Sequence, residues 1–247
     1  SISIIRCSSQ SNRVAHFAPI PIRLLDHYLN ANALTSRHWT QIMPTILVLT
    51  SSALGDASTS GLLIDEAVAK LQAQQPGATI IRRDVGGSPL PHLNENTVGI
   101  IRGAEATNDE QVAAKKLAAE LVGELQAADT VLIGAPMYNF GITSTLKTWF
   151  DHVLQAGVTF RYTENGPEGL LNGKRAIVVE TRGGLYSEGP AQVMDAQEPH
   201  LRGMLGFIGI SDVTFVRAEK LAFGDEAREE SLTGARKALD GAFAAAA

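Results

Sequence analysis

Only one of the 247 residues is a cysteine, and no apolar run of about 18 residues occurs. A single cysteine, Cys7, excludes an intrachain disulfide and is typical of a reducing compartment, so we expect a cytoplasmic location. The missing apolar run predicts that the chain does not span a membrane. A basic stripe is also missing, and the formal net charge of −5 argues against a nucleic-acid-binding protein.

Two common nucleotide-binding signatures are absent as well. No Gly-x-Gly-x-x-Gly follows the first apolar segment, which excludes the usual dinucleotide fingerprint. The single Gly-Lys pair, Gly173-Lys174, has Glu168 where a Walker loop requires glycine and Arg175 where it requires Ser or Thr. Any phosphate site must therefore be built in another way.

Residues 1–43 differ in composition from the rest of the chain. They contain no lysine and four arginines against one acid, Asp26, so their formal charge is +3 and the remainder carries −8. Met43 is followed at once by an apolar strand pattern. We expect residues 1–43 to be a poorly packed, non-core N-terminal extension, either an upstream extension or a transit-like leader. Residues 44–247 should then form one domain.

From residue 44 onward, short apolar runs typical of buried parallel strands alternate with helical patterns. This alternation predicts an α/β fold with helices on both faces of a parallel sheet. Right-handed crossovers make it a flavodoxin-like, doubly wound, five-stranded sheet in the order 2-1-3-4-5. The predicted strands are 45–50, 78–83, 129–134, 174–180 and 212–218, and the predicted helices are 62–74, 108–127, 142–154, 198–207 and 228–243.

In that strand order three loops leave the sheet side by side, at the place where open α/β folds bind ligands. We call residues 51–60 the first loop, 136–141 the second loop and 181–184 the third loop. The first loop places hydroxyls at a helix start, whose free N–H groups favour an anion. We predict that Ser52 and Ser58-Thr59-Ser60 bind the phosphate of a flavin mononucleotide, although helix capping alone explains these residues equally well.

The second loop carries four consecutive side chains suited to a flat aromatic ligand: Met137, Tyr138, Asn139 and Phe140. Asn139 and the backbone can hydrogen-bond the polar edge of an isoalloxazine ring, while the other three contact its flat body. The alternative is that these residues are core side chains at a strand–helix junction.

The third loop consists of Thr181, Arg182, Gly183 and Gly184. Its two glycines let the backbone approach a ligand closely. Their N–H groups would stabilise negative charge at the pyrimidine end of a reduced flavin. A plain Gly-Gly turn is the alternative, so the flavin prediction depends on the three loops meeting.

Four motifs also form a family pattern: A-P-M-Y-N-F at 135–140, G-V-T-F-R-Y-T-E-N-G-P-E-G-L at 157–170, R-G-G at 182–184 and L-G-F-I-G-I at 205–210. Together they resemble the FMN-dependent NADH:quinone oxidoreductases, also called NADH-azoreductases. The resemblance covers about residues 43–240. It implies a homodimer with one non-covalent FMN per subunit and active sites at the dimer interface. NADH would donate two electrons, and a quinone or azo compound would accept them at the same site, which gives ping-pong kinetics.

The resemblance also implies roles for individual residues. Tyr162 and Phe207 match aromatic positions of the family's substrate pocket, and Arg102 falls near a loop arginine credited with substrate choice. No protein side chain is required as a catalytic acid or base, because the cofactor carries the hydride chemistry. The family's FMN contacts fall on Ser52, Ser58, Thr59, Ser60, Met137, Tyr138, Asn139, Phe140, Thr181, Arg182, Gly183 and Gly184.

The chain departs from the family pattern at four places, of which Thr181 in place of a frequent Ser is a mild change. Gly141 stands where Asn is common, which would widen the pocket beside the flavin. Asp56 adds a negative charge near the expected phosphate, and the segment 185–199 is longer than usual.

Other interpretations remain open from the sequence. A flavodoxin-like electron carrier without a substrate pocket would lack the 157–169 arm, and a flavin-free interaction domain would bind no FMN. Arg82, Arg83 and Arg102 suit either the 2′-phosphate of NADPH or an ordinary charged surface. The physiological acceptor cannot be named from these residues. His152 and His200 have no partners at metal-ligand spacing, so we expect no metal.

Overall fold

The computed structural model describes residues 44–244, so the prediction for residues 1–43 lies outside the described residues. Within this range the chain alternates strands and helices, as the sequence predicts. The strands are β1 (Thr45–Thr50), β2 (Thr79–Asp84), β3 (Thr130–Pro136), β4 (Phe160–Thr163), β5 (Gly166–Gly169), β6 (Arg175–Thr181) and β7 (Asp212–Ala218). The α-helices are α1 (Thr59–Gln74), α2 (Val98–Ile101), α3 (Asp109–Ala127), α4 (Ser144–Val153), α5 (Glu198–Phe207) and α6 (Asp225–Ala244).

Five strands form one parallel sheet in the order β2-β1-β3-β6-β7. The remaining two, β4 and β5, pair with each other in a separate antiparallel hairpin. Without that hairpin the order is the predicted 2-1-3-4-5, so the prediction of a doubly wound flavodoxin-like sheet is confirmed. No helix between residues 44 and 244 is long and apolar enough to cross a membrane.

Helices cover both faces of the sheet, and the alternation of side chains along each strand supplies both cores. In β1, Leu47 and Leu49 face one layer, while Ile46 and Val48 face the other. The first layer contains α3, α4 and α5, and the second contains α1 and α6. Burial on both faces explains why β1, β3 and β6 are nearly continuous apolar runs.

The structure differs locally from the predictions. Helix α1 begins at Thr59 rather than at residue 62, because the Ser58 side chain accepts a hydrogen bond from the Gly61 N–H at 3.0 Å. The arm at residues 157–169 contains the β4–β5 hairpin. A short helix, α2, lies between β2 and α3.

Candidate functional site

The first, second and third loops meet at the carboxyl edge of the sheet, where β1, β3 and β6 end. The Ala53 N–H lies 3.2 Å from the Tyr138 hydroxyl, which joins the first loop to the second. The Met137 N–H donates to the Thr181 carbonyl at 2.9 Å, which joins the second loop to the third. The structure therefore brings together the three loops on which the flavin prediction depends.

The first loop presents hydroxyls and unused N–H groups at the start of α1. The Ser58 and Ser60 hydroxyl oxygens are 3.2 Å apart, and both side chains are buried. The N–H groups of Thr59 and Ser60 have no acceptor within residues 44–244. Free N–H groups at a helix N-terminus attract an anion, so the loop fits a phosphate. Asp56 lies just before, exposed in a short 3-10 turn.

Ser52 lies at the entry of the first loop, where a neighbouring glycine fixes the backbone. Its hydroxyl accepts a hydrogen bond from the Leu54 N–H at 3.2 Å. A Cβ atom built on Gly86 would lie 2.1 Å from the Ser52 carbonyl oxygen. Only glycine fits at that separation, so the loop after β2 packs directly against the backbone of the first loop.

Arg228 adds a positive charge to the first loop that the sequence did not reveal. Its guanidinium donates to the Thr59 hydroxyl at 3.0 Å from the start of α6, at a separation of 169 residues. No local pattern predicts a contact over that distance.

The second loop is a tight two-residue turn. Tyr138 and Gly141 exchange two backbone hydrogen bonds, of 2.9 and 3.1 Å, around Asn139 and Phe140. Both central residues have positive φ, 48° for Asn139 and 72° for Phe140, as in a type I′ turn. A positive φ is uncommon for a bulky residue such as Phe and occurs most often at functional sites.

That turn leaves its central residues accessible. Asn139 and Phe140 are exposed, and their N–H groups have no acceptor in the described part of the chain. Met137 and Tyr138 are half-buried beside them. A Cβ atom on Gly141 would meet no atom of the described residues within 4 Å, so the space beside this glycine is open.

In the third loop the backbone carbonyls accept hydrogen bonds, while two backbone N–H groups have no acceptor among the described residues. The carbonyls of Arg182, Gly183 and Gly184 accept hydrogen bonds of 2.8 to 3.2 Å from the N–H groups of residues 220–222. The N–H groups of Gly183 and Gly184 have no acceptor among the described residues. Thr181 is buried and uses its carbonyl to bind the second loop. Two free N–H groups in one loop suit a ligand that carries or develops negative charge.

The backbone N–H and the side chain of Arg182 contact other parts of the protein. Its N–H donates to the Ala218 carbonyl, and its side chain is buried among carboxylates. No local sequence pattern indicates this cluster, because its acids come from separate segments. The guanidinium contacts Glu180 at 2.8 Å, Asp195 at 3.0 Å, Glu219 at 3.2 Å and the Gln197 amide oxygen at 2.9 Å.

Two carboxylates of this cluster have opposite pKa shifts. Burial raises the pKa of Glu180 to about 7, and the nearby Arg182 only partly offsets this rise. Burial also acts to raise the pKa of Glu219, but hydrogen bonds from Ser187, Tyr186 and Arg182 outweigh it, and the pKa of Glu219 is lowered. Neither Glu180 oxygen has a well-aligned hydrogen-bond donor.

The three predicted substrate-pocket residues lie elsewhere in the domain. Arg102 and Tyr162 line a groove of about 430 Å³ near Asp151, at the C-terminal end of α4. Phe207 packs on Phe160 beside that groove, with ring centroids 4.6 Å apart. The second loop precedes the N-terminal end of α4, so groove and loops lie at opposite ends of this helix, which is about 15 Å long.

The remaining charged candidates have structural partners. Arg82 pairs with Asp65 at 2.8 Å, and Arg83 pairs with Glu120 and Glu124. Among residues 44–244 no group of three His, Cys, Asp or Glu side chains is arranged to hold a metal ion.

Comparison with known proteins agrees with this geometry. A family model described as a flavodoxin-like fold matches residues 44–242. The FMN-dependent NADH:quinone oxidoreductase of Hyphomonas neptunium is 54% identical over 194 residues, covering 78% of this chain and 93% of the relative. The corresponding protein of Ralstonia nicotianae is 48% identical over 196 residues, covering 78% of this chain and 94% of the relative.

Solved structures give the same result. An azoreductase from Bacillus anthracis str. Sterne superposes with a TM-score of 0.74 at 28% identity, covering 81% of this chain and 99% of that one. An FMN-dependent NADH-azoreductase from Bacillus anthracis str. Ames Ancestor, solved in complex with FMN, has a TM-score of 0.72 at 25% identity, covering 79% and 98%. The resemblance is confirmed: the chain belongs to the family of FMN-dependent NADH:quinone oxidoreductases.

Proposed function

We propose that this chain is an FMN-dependent oxidoreductase that passes two electrons from NADH to quinones and also cleaves azo compounds reductively. The observation that carries the proposal is the meeting of three loops, each with two N–H groups that have no acceptor in residues 44–244. The names of the relatives and of the FMN complex support the same activity.

The loops divide the recognition of FMN between them. The hydroxyls of Ser58 and Ser60 and the N-terminus of α1 fit the phosphate. The turn at Asn139 and Phe140 and the N–H groups of Gly183 and Gly184 fit the polar edge of the ring system. Bound FMN supplies the hydride chemistry, so the protein's part is to bind, orient and exclude water.

One exposed flavin face would serve both NADH and the acceptor, so the reaction should follow ping-pong kinetics. Parallel double-reciprocal lines are expected when NADH and quinone are varied together, and intersecting lines would contradict a shared face. We expect para-quinones to be the faster acceptors and azo dyes the slower ones.

We also propose that the working form is a homodimer in the cytoplasm. The groove with Arg102 and Tyr162 lies at the opposite end of α4 from the loops of the same subunit, so it suits a pocket completed by a second copy. Tyr162 is 73% exposed and Val158 on the same arm is 39% exposed, which leaves apolar surface for a partner. Sedimentation of the purified protein at twice the monomer mass is the expected result, and a monomer with full activity would contradict it.

One spectrum followed by two additions tests the activity. The purified chain should show the absorbance of an oxidised flavin, lose it on addition of NADH, and regain it on addition of benzoquinone. Colourless protein that binds no added FMN would contradict the proposal. A flavin reduced by NADH but not reoxidised by benzoquinone would favour an electron carrier instead.

A further inference from the structure

We propose that Arg182 is a positioning residue rather than an FMN contact: its buried guanidinium holds the third loop, the second loop and the 185–199 segment in one arrangement. The inference rests on the proposed FMN site and names a residue through which that site is held. Its basis is the cluster of Glu180, Asp195, Gln197 and Glu219 around the Arg182 side chain.

Arg182 is linked first to the third loop itself. Arg182 lies within the loop, and its own N–H donates to Ala218 at the end of β7. Its guanidinium contacts Glu219, the next residue along. The chain then continues to residues 220–222, whose N–H groups donate hydrogen bonds to the carbonyls of the third loop. Holding these carbonyls on one side leaves the Gly183 and Gly184 N–H groups on the other.

Arg182 is also linked to the second loop. Arg182 donates from Nε to the Gln197 side-chain oxygen at 2.9 Å, and the Gln197 amide nitrogen donates to the Ala135 carbonyl at 2.7 Å. Ala135 directly precedes the second loop. The neighbouring Ala196 N–H donates to the Phe140 carbonyl at 3.0 Å, within the strained turn. Gln197 is fully buried and therefore acts as a fixed bridge between the two loops.

Arg182 is linked as well to the 185–199 segment, which is longer than is usual in the family pattern. Glu219 accepts hydrogen bonds from the N–H groups of Tyr186 and Ser187 at 2.8 and 3.0 Å, and from the Ser187 hydroxyl. Asp195 accepts from the Gln197 and Glu198 N–H groups at 2.9 and 3.1 Å. Both ends of the segment are thus fixed by carboxylates that themselves contact Arg182.

The geometry requires arginine at this position. The planar guanidinium presents several donors in fixed directions. Its Nε and Nη1 donate to Gln197 and Glu219, and Nη2 lies 2.8 and 3.0 Å from the carboxylates of Glu180 and Asp195. Lysine keeps the charge, but its three N–H donors lie on one nitrogen, so it cannot span the same set of partners.

The test compares Arg182→Lys with Arg236→Lys in the full chain. Arg236 makes a two-point contact with Glu66 at 2.7 and 2.9 Å on the exposed surface. Arg236→Lys therefore also replaces a guanidinium that contacts a carboxylate at two points, but outside the cluster. FMN affinity is measured by quenching of flavin fluorescence, and amide hydrogen exchange is measured with saturating FMN and without FMN. Arg182→Lys should weaken FMN binding about tenfold or more and accelerate exchange across residues 185–199. Arg236→Lys should change neither.

Ser187→Ala provides a milder second variant, because it removes one contact of Glu219 from a half-buried position. It should fold normally and accelerate exchange in the 185–199 segment, and it decides the question if Arg182→Lys does not fold. Unchanged exchange in this segment would overturn the inference, even if FMN binding is weakened, because a direct contact would give that pattern. A wild-type chain that binds no FMN would instead contradict the proposed function, and the exchange without FMN would still decide the positioning role.

Discussion

The first and third loops face the same site but are held by different kinds of contact. The turns of the first loop depend mainly on hydrogen bonds between near neighbours, such as Leu54 to Ser52 and Gly61 to Ser58. The third loop depends on residues 13 to 44 positions away and on a buried arginine among carboxylates. The comparison teaches that the first loop should tolerate change locally, whereas the third should transmit it to the second loop and the 185–199 segment.

The largest expected effect is the loss of the buried charge. Arg182→Met leaves the Glu180, Asp195 and Glu219 carboxylates without their cation, so the free energy of unfolding should fall by about 3–5 kcal/mol. Urea denaturation measures the change. The control Arg236→Met breaks an exposed pair and should cost about 1 kcal/mol or less. Equal losses in the two variants would show that the cluster has no special role.

The next effect is a change in the pH dependence of stability. The pKa of Glu180 is raised from 4.5 to about 7 in the folded protein, so its contribution is fully present below pH 4.5 and is lost as the pH rises to 7. This shift corresponds to about 3 kcal/mol. The free energy of unfolding of the wild type should therefore decline between pH 4.5 and 7. In Glu180→Gln this decline should be absent.

Glu219→Gln is the matched control for that measurement. Because the pKa of Glu219 is lowered, its contribution is present above the unfolded pKa and is lost as the pH falls. The two variants should therefore alter the pH profile with opposite signs. Profiles for Glu180→Gln and wild type that run parallel from pH 4.5 to 7 would contradict the raised pKa.

A smaller effect is expected from crowding the first loop. In Gly86→Ala the new methyl group would meet the Ser52 carbonyl, so the loop must shift at a cost of about 1–3 kcal/mol. FMN binding should weaken, while hydrogen exchange in the 185–199 segment should stay unchanged. Gly141→Ala, which meets no atom within 4 Å, should leave stability unchanged. Faster exchange across 185–199 in Gly86→Ala would break the distinction between the loops.

The smallest effect concerns charge beside the first loop. Arg228→Gln removes the guanidinium that contacts Thr59, and FMN affinity should fall by about 1 kcal/mol, more at low salt than at high salt. Titration calorimetry at two salt concentrations measures it, with Arg236→Gln as the control. An affinity that does not change at either salt concentration would show that Arg228 lies too far from the phosphate to matter.

The same contrast explains how much the sequence could predict. The strand order and the meeting of the loops follow from apolar runs and right-handed crossovers, and both are present in the structure. The start of α1 was placed three residues late, because small polar residues have no apolar period and only the Ser58 cap marks the true start.

The parts that escaped prediction depend on distant contacts. Arg182 carries the family motif and was therefore predicted to touch FMN, yet its partners come from β6, the 185–199 segment and the end of β7. Arg228 reaches the first loop from the last helix. Neither contact corresponds to a residue spacing that can be recognised in the sequence. The tight turn at Asn139 and Phe140 was also unforeseen, because positive φ is uncommon for Phe.

The most direct test of the central claim is an amide NMR titration of the full chain with FMN. One ligand held by three loops should shift and protect the N–H groups of Ser60, Phe140 and Gly183 together, with a single dissociation constant. Signals that move in only one loop, or that titrate with different constants, would contradict a shared FMN site at the carboxyl edge.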